Sequence, residues 1–370
     1  MEVFRSNIIC YDLSGIMLKK NRIIAFDLLK FFAIFLVVWG HSLQYFLSSD
    51  YSDEVVFRII YSFHMPLFMM VSGYFSVSSM SLDIGKFLNK KMVQLLLPVF
   101  SWGLILWIWQ LVYDCIQTKV LSIHIDCLLQ ILLCDFWFLK SCFICYFLYY
   151  CRRFFKTKIL SWTYVSLFLS QFIPYAQMWI MYPCFLLGIE LRTKPLFFSH
   201  IKENYLKYLI LFMIMLCFWG KSFFINGNGL FSVIIGLLKD DFVPLHMWCY
   251  NIYRLAIGII GSVACIGFFC HFPQETNNRL LNLCCEYGRY TLELYVIQVL
   301  VIEEVLSKYI NFDNLNFYFC NFVAMPLVSL VFLVVCVYVV KSVSKNTFFR
   351  FLLFGKANSN YTALSCKNSR

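Results

Sequence analysis

Mostly apolar stretches, most of them of roughly 17–25 residues and so long enough to cross the hydrocarbon core of a bilayer as a helix, recur along nearly the whole chain. Ten spans are expected, at about 23–47, 55–78, 93–113, 134–150, 159–173, 177–191, 207–220, 251–271, 290–308 and 316–340. With 61% hydrophobic side chains, 20% aromatic, 14% charged and a mean hydropathy of +0.73, the 370 residues hold more apolar surface than a water-soluble domain can hide. The predicted fold class is therefore all-α: a polytopic transmembrane helical bundle of about ten helices. Its expected parts are an amino-terminal segment 1–22, a membrane domain 23–341 and a tail 342–370.

Charge sets the expected orientation. Of the 31 Lys and Arg residues, 23 fall on the amino-terminal side of such a topology and four on the other, namely Lys119, Lys221, Lys239 and Lys308. Positive residues favour the cytoplasmic side, so both termini are predicted there. The first 22 residues have no signal-peptide pattern, because Asp12, Lys19, Lys20 and Arg22 interrupt their short apolar runs. Residues 114–133 and 221–250 read as outer loops, with 229–238 re-entrant or interfacial.

The net charge of +11 lies in the segments between spans, which points to membrane lipid head groups and not to nucleic acid. Seventeen cysteines are scattered singly, as Cys142, Cys145, Cys265 and Cys336 illustrate, and read as small hydrophobes. Cys284 and Cys285 lack metal-ligand spacing, so no metal is expected.

Ionisable groups inside apolar spans are costly, about 2.5–3.5 kcal/mol each, and mark candidate sites. The first span carries Asp27, Lys30 and His41. Eleven residues place Lys30 and His41 within about 20° on one helix face but about 16 Å apart along the axis, two levels of one polar lane. Asp27 with Lys30 reads equally as a self-neutralising pair, and a lone helix histidine is often a hydrogen-bonded core residue. The second span adds His64, followed by Pro66, which bends or breaks a helix and frees a carbonyl beside a cavity, and then Ser72 and Gly73. Lys86, Lys90 and Lys91 precede the third span, where they suit the phosphates of a cytosolic cofactor or, equally, lipid head groups. Further candidates are Trp137 with Lys140, Arg254, and Glu303 or Glu304, either of which orients His41 if the helices adjoin.

FDLLK…GH, with ten residues between Lys30 and His41, resembles the basic-x10-His signature of the acyltransferase 3 family of membrane proteins. FHMPLFMMVSGYF, KKMVQLLLP, WFLK, FLLGIELR (185–192) and GRYTLELYVIQ (288–298) resemble its other segments in order, over about residues 22–340. FHMPLF…SGY is similar to the carbohydrate O-acetyltransferase branch. The resemblance implies acyl transfer from acyl-CoA, acetyl-CoA by default, to a hydroxyl of a glycan or lipid-linked sugar at a bacterial cytoplasmic membrane, with His41 essential. Lys30 stands where the family commonly has arginine, Lys91 and Gln94 replace a paired-arginine loop, and Gln298 stands where many members have histidine.

A sugar hydroxyl needs a base and donors for the developing oxyanion. His41 is the expected base, with His64 as a second catalytic candidate. Lys30, Lys90 and Lys91 are expected at the donor, and Asp27, Ser72, Tyr74, Trp137, Arg254, Glu303 and Glu304 in orientation or substrate contact. A transporter or flippase for a lipid-linked sugar is the rival reading, although no inverted repeat is visible.

Overall fold

The computed structural model describes residues 24–47, 51–120, 123–154, 159–221, 223, 245–273, 278–312 and 315–356. The expected segment 1–22, the apolar stretch 229–238 and the end of the tail lie outside them. Every described element is helical, and each of the ten expected spans falls on a helix.

Among the described residues, five helices are long and apolar enough to cross a membrane: Ile24–Phe46, Val55–Ser79, Ile84–Thr118, Cys249–Phe269 and Phe317–Val343. Within this set we label α1 (Ile24–Phe46) and α2 (Val55–Ser76). Next come α3 (Ile84–Lys91) and α4 (Leu97–Thr118), joined by a π-helical turn over Met92–Leu96. Helices α5 (Ile125–Cys134) and α6 (Trp137–Tyr150) follow. Residues 125–133 were expected in a loop; their leucine and isoleucine content instead sustains a helix that meets the following one at 56°, a broken span or re-entrant pair.

Shorter helices complete the bundle: α7 (Ile159–Ser170), α8 (Met178–Thr193), α9 (Pro195–Glu203) and α10 (Tyr205–Cys217). Then come α11 (Leu245–Phe269), α12 (Arg279–Tyr287) and α13 (Thr291–Gln298), which runs into a π-helix over Val299–Val305. Last are α14 (Phe317–Val343) and α15 (Thr347–Phe354).

The outward faces of the long helices stay apolar, with Ile108, Ile116, Val334 and Val335 exposed, which suits hydrocarbon and not water. The chain is a multi-pass helical membrane protein.

In lipid, helices associate through close backbone packing more than through burial of apolar surface, so small residues decide which pairs form. A Cβ on Gly73 of α2 would stand 2.0 Å from the Phe185 carbonyl oxygen of α8, and one on Gly188 of α8 would stand 2.0 Å from the Met70 carbonyl oxygen of α2. The reciprocal glycines weld α2 to α8. Helix α2 continues through Pro66, so of the expected bend or break there is no break, and Ser262 of α11 donates to the Phe63 carbonyl at 3.3 Å next to it. These contacts fix the face of α2 that carries His64.

Candidate active site

A cavity of about 330 Å³ opens between α1, α2, the α5–α6 junction, the start of α8, α11 and the helix around Gln298. Of the expected residues, His41, His64, Trp137, Arg254 and Glu303 all line it, brought together from five separate stretches of sequence.

The geometry around His41 is built on one carboxylate. His41 Nδ1 lies 3.2 Å from Glu303 Oε1, a close approach off the line of a hydrogen bond. Tyr45 Oη donates to Glu303 Oε2 at 2.9 Å, and Gln298 Nε2 donates to Oε1 at 3.1 Å. Both oxygens are therefore held, and His41 Nδ1 is buried against the carboxylate. Catalytic contacts without substrate are commonly longer or less aligned than in the working complex.

The π-helical stretch explains why Glu303 and not Glu304 serves here. In an α-helix, residues five apart diverge by about 140° around the axis. The wider π turn, with its i→i+5 bonds, brings Gln298 and Glu303 onto one face. Glu304 points elsewhere, to Lys308 Nζ at 3.7 Å, and is not part of the cavity lining.

The second imidazole is held by its own helix. His64, 1% exposed, places Nδ1 2.7 Å from the Ile60 carbonyl oxygen. A carbonyl only accepts, so Nδ1 carries the proton and Nε2 is the bare nitrogen of the ring. Between the imidazoles stands Tyr61, whose ring centroid is 6.3 Å from His41 and 4.6 Å from His64. Tyr61 Oη donates to Gln44 Oε1 at 3.2 Å, which leaves the Gln44 amide N–H groups as donors at the cavity wall.

Asp135, Phe136, Trp137 and Gln177 close the other wall. Phe136 and Gln177 have φ of +52° and +50°, an uncommon conformation for residues with a side chain, and such backbone strain gathers at functional sites. Arg254 Nη2 donates to Gln177 Oε1 at 3.4 Å. Sequence reading missed Gln44, Tyr45, Asp135 and Gln177. Gln44 and Tyr45 stand three and four residues after His41, so helical spacing was a usable signal for them; Asp135 and Gln177 sit at turns and gave none.

The remaining candidates lie away from the cavity. Lys30 Nζ is 3.9 Å from Asp27 Oδ1 and lies over the Phe75 ring at 4.4 Å. Tyr74 stacks on Phe26 with centroids 4.3 Å apart and accepts from Arg192 Nη1 at 3.3 Å. Buried Lys91 lies over the Tyr146 ring at 3.5 Å and has no carboxylate partner among the described residues. Tyr146 Oη donates to the Ser72 carbonyl at 3.2 Å, and Ser72 Oγ is 3.9 Å from Cys142 Sγ. Lys90 is exposed and outside this group.

The open lane expected from Lys30 to His41 is not continuous here. The cavity reaches down α1 as far as Val37, and Ile34, between the two levels, is 1% exposed. Apolar side chains of α1 fill the interval. Among the described residues no group of three or more His, Cys, Asp or Glu side chains is placed to hold a metal ion.

A polytopic helical protein with a polar, histidine-containing cavity inside its bundle is built to handle a polar reactant at the membrane. The acyltransferase domain family matches residues 23–341, and the chain belongs to that family. It is 37% identical over 92 residues to nodulation protein NolL of Mesorhizobium japonicum, covering 24% of this chain and 25% of that protein. To NolL of Sinorhizobium fredii it is 39% identical over 87 residues, covering 22% and 24% respectively. The chain thus spans about a quarter of the length of the curated relatives it matches. No solved structure matches it.

Proposed function

We propose that the chain is a membrane O-acyltransferase that moves an acyl group, acetyl by default, from acyl-CoA to a hydroxyl of a cell-surface or lipid-linked carbohydrate, in a bacterial cytoplasmic membrane. The observation that carries this reading is the 3.2 Å approach of His41 to Glu303 inside a polar cavity. An imidazole backed by a carboxylate is the general-base arrangement that a weak hydroxyl nucleophile requires.

In the proposed reaction the sugar hydroxyl attacks the thioester carbonyl while His41 Nε2 takes its proton. The new carbon–oxygen bond forms and the carbon–sulfur bond breaks. The departing coenzyme A sulfur takes the proton back from His41 and leaves as the thiol. Glu303 holds the imidazole and offsets its transient positive charge, and the Gln44 amide is the donor available to the tetrahedral oxyanion. His64, with Nε2 bare, accepts a hydrogen bond from the acceptor. The Trp137 ring and the polar groups of Asp135, Gln177 and Arg254 provide an aromatic plane and hydrogen-bonding edges of the kind a pyranose uses. Lys30 and Lys91 serve the donor, with Lys90 at its exposed margin and Asp27, Ser72 and Tyr74 positioning them; the thioester arm reaches His41 by parting the apolar side chains around Ile34 that fill the interval.

The test compares surface glycan purified from cells producing the wild-type protein and His41→Ala, at matched protein levels, by NMR. Ester signals are expected to vanish in the variant while glycan quantity is kept. Unchanged ester content with less glycan at the surface would move the assignment to transport.

A further inference from the structure

The amino-terminal end of α1, opposite the cavity, holds a group of charges to which the tail contributes. Asp27 Oδ2 is 3.7 Å from Arg289 Nε, and Asp27 Oδ1 is 3.9 Å from Lys30 Nζ. Glu293 of α13 is 1% exposed, and its Oε1 pairs with Lys356 Nζ, while its buried Oε2 has no hydrogen-bond partner. Lys356 also lies over the ring of Tyr290, the residue after Arg289, at 5.6 Å. Three cations thus surround two carboxylates. Their side chains remain 26% (Lys30), 41% (Arg289) and 45% (Lys356) exposed, so a ligand can reach them.

Lys356 is placed there by a docked helix. Asn346 caps α15 by accepting from the Phe348 and Phe349 amides at 2.9 and 3.3 Å. At the other end, carbonyls that a helix leaves unpaired are taken by α4: Ser101 Oγ donates to Leu352 O at 2.7 Å and Trp102 Nε1 to Leu353 O at 2.9 Å. Gly355 then reverses the chain with φ +61°, and a Cβ there would lie 2.0 Å from the Val93 carbonyl oxygen. The Lys356 amide closes the turn onto Arg350 O at 3.4 Å. Position 355 thus requires glycine twice over, and the next side chain is aimed at Glu293.

We infer that α15 is a donor-binding strap: it delivers Lys356 to join Lys30 and Arg289 in a site for the phosphate groups of the acyl donor, with Glu293 holding the lysine in place. The excess positive charge, and the seating of Lys356 over the ring that follows Arg289 in the chain, both favour an anion at this end of α1, and phosphate oxygens accept from several N–H donors at once. The inference rests on the acyl-CoA reading above.

Equilibrium binding of coenzyme A to the full chain in phosphate-free detergent tests it, with pantetheine as the phosphate-free probe. Lys356→Ala is expected to weaken coenzyme A binding about tenfold, the effect of losing one charge-assisted contact, and Lys356→Arg to stay near wild type. Pantetheine binding should not change. Equal affinity of Lys356→Ala and wild type for coenzyme A, an equal loss toward both probes, or a loss seen only with phosphatidylglycerol vesicles overturns the strap. Failure of the wild-type protein to bind coenzyme A at all overturns the donor assignment and the strap with it.

Discussion

Gln298 and Glu303 are joined side chain to side chain at 3.1 Å across a π-helical turn, so that one carboxylate receives an amide and a phenol and stands 3.2 Å from an imidazole. A carboxylate with both oxygens engaged has little freedom to rotate, and the imidazole it faces inherits that rigidity. The π-helix is what makes this possible, because it replaces the α-helical face on which Glu303 would have turned away.

Glu303→Gln tests the carboxylate directly. The amide keeps the size of the side chain but cannot accept at both positions, and it cannot offset charge on His41. Acetyl transfer from labelled acetyl-CoA into glycan of isolated membranes should fall by about a hundredfold or more, with protein level unchanged. Wild-type rates in Glu303→Gln would remove the carboxylate from the mechanism.

Tyr45→Phe removes the phenol bonded to Glu303 Oε2 and nothing else of its shape. A hydrogen bond to a charged acceptor is worth about 1.5–3 kcal/mol, so a loss of about tenfold in turnover is expected. Because Tyr45 acts through Glu303, adding Tyr45→Phe to Glu303→Gln should cost little more. Fully additive losses in the double variant would show that the phenol works by another route.

How much of this was readable beforehand follows from the physics of each residue. Apolar runs of membrane length mark helices whatever their neighbours, so every expected span lies on one. His41, His64 and Glu303 were visible because ionisable groups in apolar spans stand out. The choice between Glu303 and Glu304 was not, since it depends on a local π register that no periodicity announces. Asp135 and Gln177 enter the cavity from turns, and their placement depends on positive φ at Phe136 and Gln177. Lys356 reaches Glu293 only because α15 folds back on α4, a contact between distant segments that composition cannot disclose.

Gly188→Ala should damage the bundle and Gly85→Ala should not. A methyl on Gly188 would press on the Met70 carbonyl at 2.0 Å, whereas one on Gly85 meets nothing within 4 Å. Overpacking of this kind costs about 1–3 kcal/mol, while alanine for glycine in an open helical position gains roughly 0.5–1 kcal/mol. Melting of the purified proteins in detergent should separate the two variants in opposite directions from wild type. Equal melting would mean that α2 and α8 are not held by this contact.

Lys91→Met separates donor binding from folding. The Lys91 ammonium is buried over the Tyr146 ring with no carboxylate beside it among the described residues, so its desolvation is only partly offset. Methionine fills a similar volume without charge, and the melting temperature should hold or rise. If that cation waits for the anionic part of acyl-CoA, the same substitution should raise KM for acetyl-CoA about tenfold with kcat little changed. A lysine kept only for packing or for lipid contact would leave KM where it was. A drop in melting temperature together with a proportional loss of kcat would place Lys91 in the scaffold and not at the donor.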